Sequence, residues 1–150
     1  MSTSTASKST PRELITEFLD CLGDLSVSID RCVDLFAEDG VFDFPYLPTC
    51  GIHGRFEGKA AIRGVLDLIR SHFPGFTLSN INIYETTDGV GLFIEYHAEA
   101  KLRVPGKAYA QDYVSHLVAG NGKIKLLCEY LNIISFARQL LPNGLADVPG

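Results

Sequence analysis

Hydrophobic and polar residues follow two periods along this chain, a helical one before residue 75 and an alternating one after it. In the first segment the apolar residues recur three and four positions apart: Leu14, Ile15, Phe18, Leu19 and Leu22. That spacing predicts an amphipathic helix. Thr10, Pro11 and Glu13 are typical of a helix start, because Thr10 and Glu13 can form a capping box and proline suits the first turn. We therefore expect a helix from residue 11 that ends at Gly23.

Two more helices and a short strand complete the predicted first half. The pattern indicates a helix over 28–38, a strand over 41–44, a loop over 45–57 with two prolines, and a helix over 58–70. The helix over 28–38 would present one apolar face, formed by Ile29, Cys32, Val33 and Phe36.

The second half predicts an antiparallel meander, because alternating segments are separated by turn signals such as Gly120-Asn121-Gly122. The last alternating segment also fits a helix by periodicity, but the hairpin turn before it favours a strand. The expected elements are strands over 76–86, 90–104, 107–119 and 124–134, followed by a short helix over 136–141.

Helices in one half and strands in the other predict an α+β fold, with the helices packed on one face of a strongly curved, mostly antiparallel sheet. Such a sheet closed by helices forms a cone whose mouth is a natural pocket. We expect a tail over 1–10 that is too polar to fold, one domain over 11–141, and a C-terminal tail over 142–150.

Composition narrows the function classes. Apolar residues make up 46% of the 150 residues and charged residues 21%, which excludes wholesale disorder. Nine Phe and six Tyr suit a core that lines a ligand cavity. A net charge of −5 argues against nucleic acid and anionic membranes as partners. No apolar run approaches the roughly 20 residues that cross a bilayer.

The four cysteines have no C-x-x-C spacing, and no secretory segment precedes them. Two disulfides are conceivable from the even count, but reduced thiols and a cytoplasmic location are the expectation. We expect Cys21, Cys32 and Cys128 to be small core residues.

Four strings carry a resemblance to a known family. They are residues 36–46, residues 55–62, Tyr109-Ala-Gln-Asp-Tyr113, and Gly122-Lys-Ile followed by Glu129-Tyr-Leu-Asn132. Together with the element order they resemble the SnoaL-like, PhzA/PhzB-like branch of the nuclear-transport-factor-two-like superfamily, which includes ketosteroid isomerases and polyketide cyclases. The resemblance implies a cone-shaped α+β barrel and a homodimer formed through the outer face of the sheet.

Two departures limit what the resemblance implies about chemistry. Ketosteroid isomerases carry a proton-shuttling Asp just before the proline that ends the first strand, and this chain has Phe44 there. Asp43 is adjacent, but it faces away from the cavity if Phe44 faces in. The helix-three His of PhzA and PhzB would fall near Val65. Neither isomerase chemistry copied residue for residue nor phenazine condensation is therefore supported.

Glu129 is the main candidate for catalysis. The family comparison puts it inside the cone, where loss of hydration would raise its pKa and let it act as an acid or base near neutral pH. The alternative is an outward Glu129 in a surface ion pair, with Cys128 and Tyr130 buried instead. The alternation along the strand does not decide between these two orientations of Glu129.

Tyr109, Gln111 and Tyr113 share one face of the predicted strand over 107–119. Two phenols and an amide that face a cavity could bind a carbonyl or stabilise an enolate oxygen. The same face could instead pack in a dimer, where Tyr is common.

The remaining candidates surround the expected pocket. His53 is a possible acid–base group or merely a solvated loop residue, and Arg55 could bind a substrate carboxylate or pair with Glu57 or Asp43. Residues expected to shape the pocket or bind substrate are Phe36, Phe44, Tyr46 and Asn132.

A metal site is the lesser interpretation of Glu95, His97 and Glu99. These residues alternate on one strand face, and that pattern more often marks a solvated surface than a metal centre. We expect no metal and no cofactor.

The sequence thus predicts a cofactor-free acid–base isomerase, cyclase or dehydratase acting on a small hydrophobic carbonyl compound. In that hypothesis Glu129 moves the proton while Tyr109 and Tyr113 bind the oxygen. The rival hypothesis is a non-catalytic module of the same fold that binds a hydrophobic ligand or only dimerises.

Overall fold

The computed structural model describes residues 8–150, so most of the predicted tail over 1–10 lies outside the described residues. The helices are α1 Pro11–Leu22, α2 Leu25–Asp34, α3 Lys59–His72 and α4 Ile133–Leu140. The strands are β1 Phe36–Asp43, β2 Arg55–Glu57, β3 Thr77–Glu85, β4 Gly91–Lys101, β5 Ala108–Gly120 and β6 Lys123–Leu131. Two short 3-10 helices, Leu47–Cys50 and Gly144–Asp147, complete the fold.

One six-stranded sheet holds all the strands in the order β2-β1-β6-β5-β4-β3. The β3–β6 part is the predicted antiparallel meander, and β1 joins it in parallel to β6. Helices α1, α2 and α3 cover the inner face of the sheet, and their apolar residues form one core with it. The predicted α+β, cone-type fold is confirmed.

Helix α1 begins where its sequence pattern predicts. The Thr10 hydroxyl accepts the Glu13 backbone N–H at 3.2 Å, and the Glu13 carboxylate accepts the Thr10 backbone N–H at 3.1 Å. These two bonds form the capping box, which satisfies backbone donors that a helix start otherwise leaves free.

The predicted helix over 28–38 was wrong at both ends. Helix α2 starts earlier, because Asp24 caps it by accepting the Ser26 backbone N–H at 3.1 Å. It ends at Asp34, and Phe36 opens strand β1 opposite Ile124 of β6. The helical spacing of Phe36 was coincidental, since pairing with β6 decides the structure of this segment.

An irregularity in β1 explains why the sequence pattern did not predict the first half of this strand. The β1–β6 register shifts between Phe36 and Val41, so the alternation is interrupted. Gly40 lies in the shifted part, where an added Cβ would meet the Ala37 and Ile124 carbonyl oxygens at 2.9 Å each. The predicted loop over 45–57 also contains β2, which pairs with the end of β1.

Phe36 is a core residue, which corrects its prediction as a substrate contact. Its ring is fully buried, stacks on Phe42 with 5.8 Å between centroids, and meets Phe18 edge-on at 6.3 Å. Phe36 does not line the cavity described below, whereas Phe18 and Phe42 do. These three rings form the aromatic floor beneath the cavity.

The outer face of the sheet is mixed in character. Tyr84, Phe93 and Val114 expose apolar surface there. His97 lies between two acids, with Nδ1 at 2.7 Å from Asp112 and Nε2 at 3.3 Å from Glu99. Within residues 8–150 no three His, Cys, Asp or Glu side chains gather as a metal-binding group.

Two further expectations concern the burial of the cysteines and the possibility of a membrane-spanning helix. All four cysteines are free and buried, and Cys21, Cys32 and Cys128 are core residues as predicted. Among the described helices none is long and apolar enough to cross a membrane.

Replacing Phe36 by Ala should lower the free energy of unfolding by about 3–5 kcal/mol, because a fully buried ring leaves a cavity behind. Urea denaturation of the wild type and of Phe36→Ala measures this change. Val27→Ala is the control, since Val27 is 81% exposed on α2 and its truncation should cost less than about 0.5 kcal/mol. A loss below about 1 kcal/mol for Phe36→Ala would contradict the core assignment.

Candidate functional site

A cavity of about 430 Å³ lies between the inner face of the sheet and the helices. That volume is within the range of small-molecule sites, which are mostly apolar and have a few polar groups. Its wall comes from helices α1, α3 and α4, from β1, from the inner faces of β4, β5 and β6, and from the β4–β5 hairpin. Most lining residues are Phe, Leu, Ile or Val, and Phe44 is one of them.

Glu129 lies in the cavity wall and is only 5% exposed. It faces inward with its β6 neighbours Leu127 and Leu131, which resolves the parity that the sequence left open. Tyr96 of β4 donates its phenolic hydrogen to Oε1 of Glu129, with 3.2 Å between the oxygens.

Burial controls the acidity of Glu129. Loss of hydration raises the pKa of this carboxyl from 4.5 to about 7, although the hydrogen bond from Tyr96 favours the ionised form. The group therefore exists in both protonation states near neutral pH, as a general acid–base catalyst requires.

Tyr109 and Tyr113 bring their hydroxyls together in the same cavity. The two oxygens are 2.9 Å apart, and the Tyr113 ring stacks on Tyr96 with 5.1 Å between centroids. Burial raises the pKa of Tyr109 to about 12 and also raises the pKa of Tyr113. Both phenols thus remain protonated and can act as hydrogen-bond donors.

Tyr96 is a residue of the candidate site that sequence reasoning missed. Alternation along β4 put it on the inner face, but no local pattern connects it with Glu129, which lies 33 residues away and on a strand not adjacent to β4. Strand β5 lies between the two strands, and the long side chains of Tyr96 and Glu129 meet above it. Ser115 is the β5 residue opposite Glu129, and its buried hydroxyl has no partner among the described residues.

Gln111 and Asn132 form the junction of β5, β6 and α4 and do not line this cavity. The side-chain oxygen Oε1 of Gln111 accepts the Asn132 backbone N–H at 3.1 Å, and its side-chain nitrogen Nε2 donates to the Asn132 backbone carbonyl at 3.0 Å. The Asn132 side chain caps α4 by accepting the Ser135 backbone N–H at 3.1 Å, and Asn132 borders a hollow on the outer face. The structure corrects the prediction that these two residues contact substrate.

Tyr46 and Arg55 also lie away from the cavity, which corrects two more predictions. Tyr46 is 48% exposed, and its ring contacts Tyr130 with 5.4 Å between centroids. Arg55 Nε donates to Glu57 at 2.7 Å and its Nη1 lies 3.4 Å from Asp43. These are the pairings that the sequence allowed as the alternative for Arg55.

His53 lies at the mouth, exposed to solvent, and its ring meets the cavity residue Phe56 edge-on at 5.1 Å. The wall also includes Lys107 from the β4–β5 hairpin and Gln139 from α4. Sequence reasoning did not single out these two residues, because a lone Lys in a turn and a lone Gln on a helix carry no pattern.

Comparison with known proteins agrees with this fold. The sequence model of the SnoaL-like domain matches residues 15–127. An uncharacterized PhzA/B-like protein of Pseudomonas aeruginosa is 35% identical over 99 residues, which cover 66% of this chain and 69% of that protein.

Solved structures share the fold at lower sequence identity. A phenazine biosynthesis-related protein of P. aeruginosa superposes with a TM-score of 0.74 and 24% identity, covering 87% of this chain and 84% of that one. An LEH-like epoxide hydrolase of M. tuberculosis superposes with a TM-score of 0.64 and 19% identity, covering 89% and 90% of the two chains.

Glu129 should make the protein less stable as the pH rises. The unfolded chain loses this proton near pH 4.5 and the folded chain near pH 7, so the folded state binds more protons between those values. Stability is therefore expected to fall by about 3 kcal/mol from pH 4.5 to pH 8 because of this group. Glu129→Gln should remove that slope, and urea denaturation at several pH values measures it.

The matched control is Glu95→Gln, which changes an exposed carboxylate on the outer face of β4. It should keep the slope of the wild type. An unchanged slope in Glu129→Gln would show that the carboxyl is not held away from water.

Proposed function

We propose, from the premise that this chain belongs to the SnoaL-like domain family, that its cavity is the active site of an enzyme that needs no cofactor and moves a proton on a small hydrophobic carbonyl compound. The reaction is an isomerisation, cyclisation or dehydration. One observation carries the proposal: a carboxyl with a pKa of about 7 and a pair of protonated phenols share one apolar cavity.

Glu129 is the proton carrier in this mechanism. Its ionised form takes a proton from the carbon beside the substrate carbonyl, and the resulting neutral acid returns the proton at another position. A pKa near the working pH serves both steps, because neither protonation state is scarce. The hydrogen bond from Tyr96 fixes the orientation of the carboxyl and makes Tyr96 a positioning residue.

Tyr109 and Tyr113 stabilise the oxygen on which negative charge develops when that proton leaves. Their hydroxyls are 2.9 Å apart, so one donates to the other, and a carbonyl oxygen near the pair would receive the remaining hydrogen in a bond that the second hydroxyl strengthens. The apolar wall strengthens these bonds, because little water competes for the same oxygen.

His53 has a secondary role in this proposal. It lies at the mouth and is exposed, so it can carry protons between the cavity and water. Phe44 shapes the apolar wall and takes no part in proton transfer.

A non-catalytic ligand-binding module is the second candidate. One observation favours it: Phe44 occupies the position where the ketosteroid isomerases carry their proton-shuttling Asp, so Glu129 is the sole carboxylate in the described cavity wall. A module of this kind would bind the same hydrophobic compound and release it unchanged.

The homodimer also remains a proposal, and the exposed apolar residues of the outer sheet face support it. Tyr84, Phe93 and Val114 lie on three neighbouring strands of that face. A cytoplasmic location is a further prediction, to which four free thiols are suited.

The proposed chemistry predicts that the protein speeds the exchange of the C1 protons of 2-tetralone for deuterium, followed by NMR in D₂O. Glu129→Gln should lower the rate about 100-fold, because an amide cannot remove the proton. The rate of the wild type should rise with pH through about 7, as Glu129 becomes ionised.

Two further variants decide between the candidates. Tyr113→Phe should lower the exchange rate while leaving 2-tetralone binding within about twofold, and Glu95→Gln on the outer face should change neither. If the wild type binds 2-tetralone but exchanges its protons no faster than Glu129→Gln does, the enzyme hypothesis fails and the binding module remains.

Phe93→Asp should convert the proposed dimer to monomers, because it puts a charge into the apolar part of the outer face. Sedimentation velocity at low micromolar concentration measures the change in mass. Val27→Asp on α2 introduces the same charge away from the sheet and should leave the dimer intact. A wild-type monomer, or a dimer unaffected by Phe93→Asp, would contradict this interface.

A further inference from the structure

Three cations have no hydrogen-bond or ion-pair partner in the described chain. Most Lys and Arg side chains of residues 8–150 bind a carboxylate, an amide oxygen or a backbone carbonyl oxygen. Lys101, Lys107 and Arg138 are the exceptions within that part of the chain. All three belong to the β4–β5 hairpin or to α4.

These two elements are held together by side-chain hydrogen bonds. Gln139 of α4 accepts the Ala110 backbone N–H at 2.7 Å and donates to the Ala110 carbonyl at 2.8 Å. The bonds fix α4 against the start of β5, next to the hairpin that carries Lys107. Neither the hairpin residues 101–108 nor α4 contains an acidic residue.

Lys107 is the one of the three that lines the cavity. It is exposed, whereas Glu129 is deeply buried, so the formal charges of the described wall lie at different depths. A cation in the cavity wall that has no partner among residues 8–150 remains able to bind an anionic ligand, although the net charge of the chain is −5.

We propose that the cavity selects amphipathic organic anions, and that Lys107 binds the anionic group at the mouth while the apolar body of the ligand fills the interior. This inference rests on the proposed use of the cavity as the substrate site. It sets the direction of the ligand, because an anionic group is repelled by ionised Glu129 and attracted by Lys107. The neutral carbonyl end then faces Glu129 and the Tyr109–Tyr113 pair.

Two fluorescent probes that differ by one anionic group test the inference. They are 1-anilinonaphthalene-8-sulfonate and its neutral analogue N-phenyl-1-naphthylamine, and only fluorescence that 2-tetralone displaces is counted. Lys107→Gln should weaken sulfonate binding roughly fivefold, as for loss of a partly exposed ion pair, and change the neutral probe less than twofold. Lys107→Arg should retain sulfonate binding, and added salt should weaken it in the wild type.

Lys101→Gln is the matched control, because it removes the same charge from the same hairpin at a residue that does not line the cavity. It should change either affinity less than twofold. Four results would overturn the inference: no displaceable signal, no effect of Lys107→Gln, equal losses for both probes, or an equal loss in Lys101→Gln.

The test of anion selection and the test of the proposed chemistry can give different results. If Lys107→Gln loses the sulfonate selectively while the wild type exchanges no protons of 2-tetralone, anion selection stands and the enzyme hypothesis fails. If exchange depends on Glu129 but Lys107→Gln binds both probes like the wild type, the chemistry stands and anion selection fails.

Discussion

Withdrawing a carboxyl group from water costs free energy, and the cavity of this protein is arranged around one such group. Glu129 has a single hydrogen-bond donor, Tyr96, and no cationic partner among the described residues. The cost is therefore met by the rest of the fold, mainly by its continuous apolar core. A fold that tolerates this cost retains a group whose protonation can change near neutral pH.

The aromatic floor and the ring stack hold the site in shape. Phe36 supports Phe42 from below, and Phe42 in turn contacts Phe44 in the cavity wall with 4.5 Å between ring centroids. On the other side Tyr96 and Tyr113 stack nearly in parallel, which restricts both phenols to one orientation. Rigid rings thus fix the oxygen atoms without a dense hydrogen-bond network, and prearranged donors of this kind suit a developing oxyanion.

The sequence predicted the parts of the fold that local chemistry determines. The capping box of α1 and the alternation of β3–β6 are encoded within a few residues of each element, so they could be found from the chain alone. The start of β1 could not, because Phe36 continues a helical spacing and only its pairing with Ile124 makes it a strand residue. At that point pairing with a distant strand overrides the helical spacing of the local sequence.

The site shows the same division between local and distant causes. Tyr109 and Tyr113 were predicted from the alternation of their strand and Glu129 from the family resemblance, and the structure was needed to show that Glu129 faces inward. Gln111 was predicted to contact substrate, because alternation along a strand indicates the face on which a side chain lies but not the group that its amide binds. That group here is the backbone of Asn132. The hydrogen bond between Tyr96 and Glu129 depends on strand order in the sheet, which no short segment contains.

The match to the SnoaL-like domain ends at residue 127, and the last part of the cavity is built by residues beyond it. Glu129 follows two positions later, and α4 then supplies Phe136, Gln139 and Leu140 to the wall. The end of the chain therefore completes the cavity wall, with one buried carboxyl from β6 and three side chains from α4. Substitutions in this stretch would change the size and polarity of the cavity while leaving the helices and strands before residue 123 as they are.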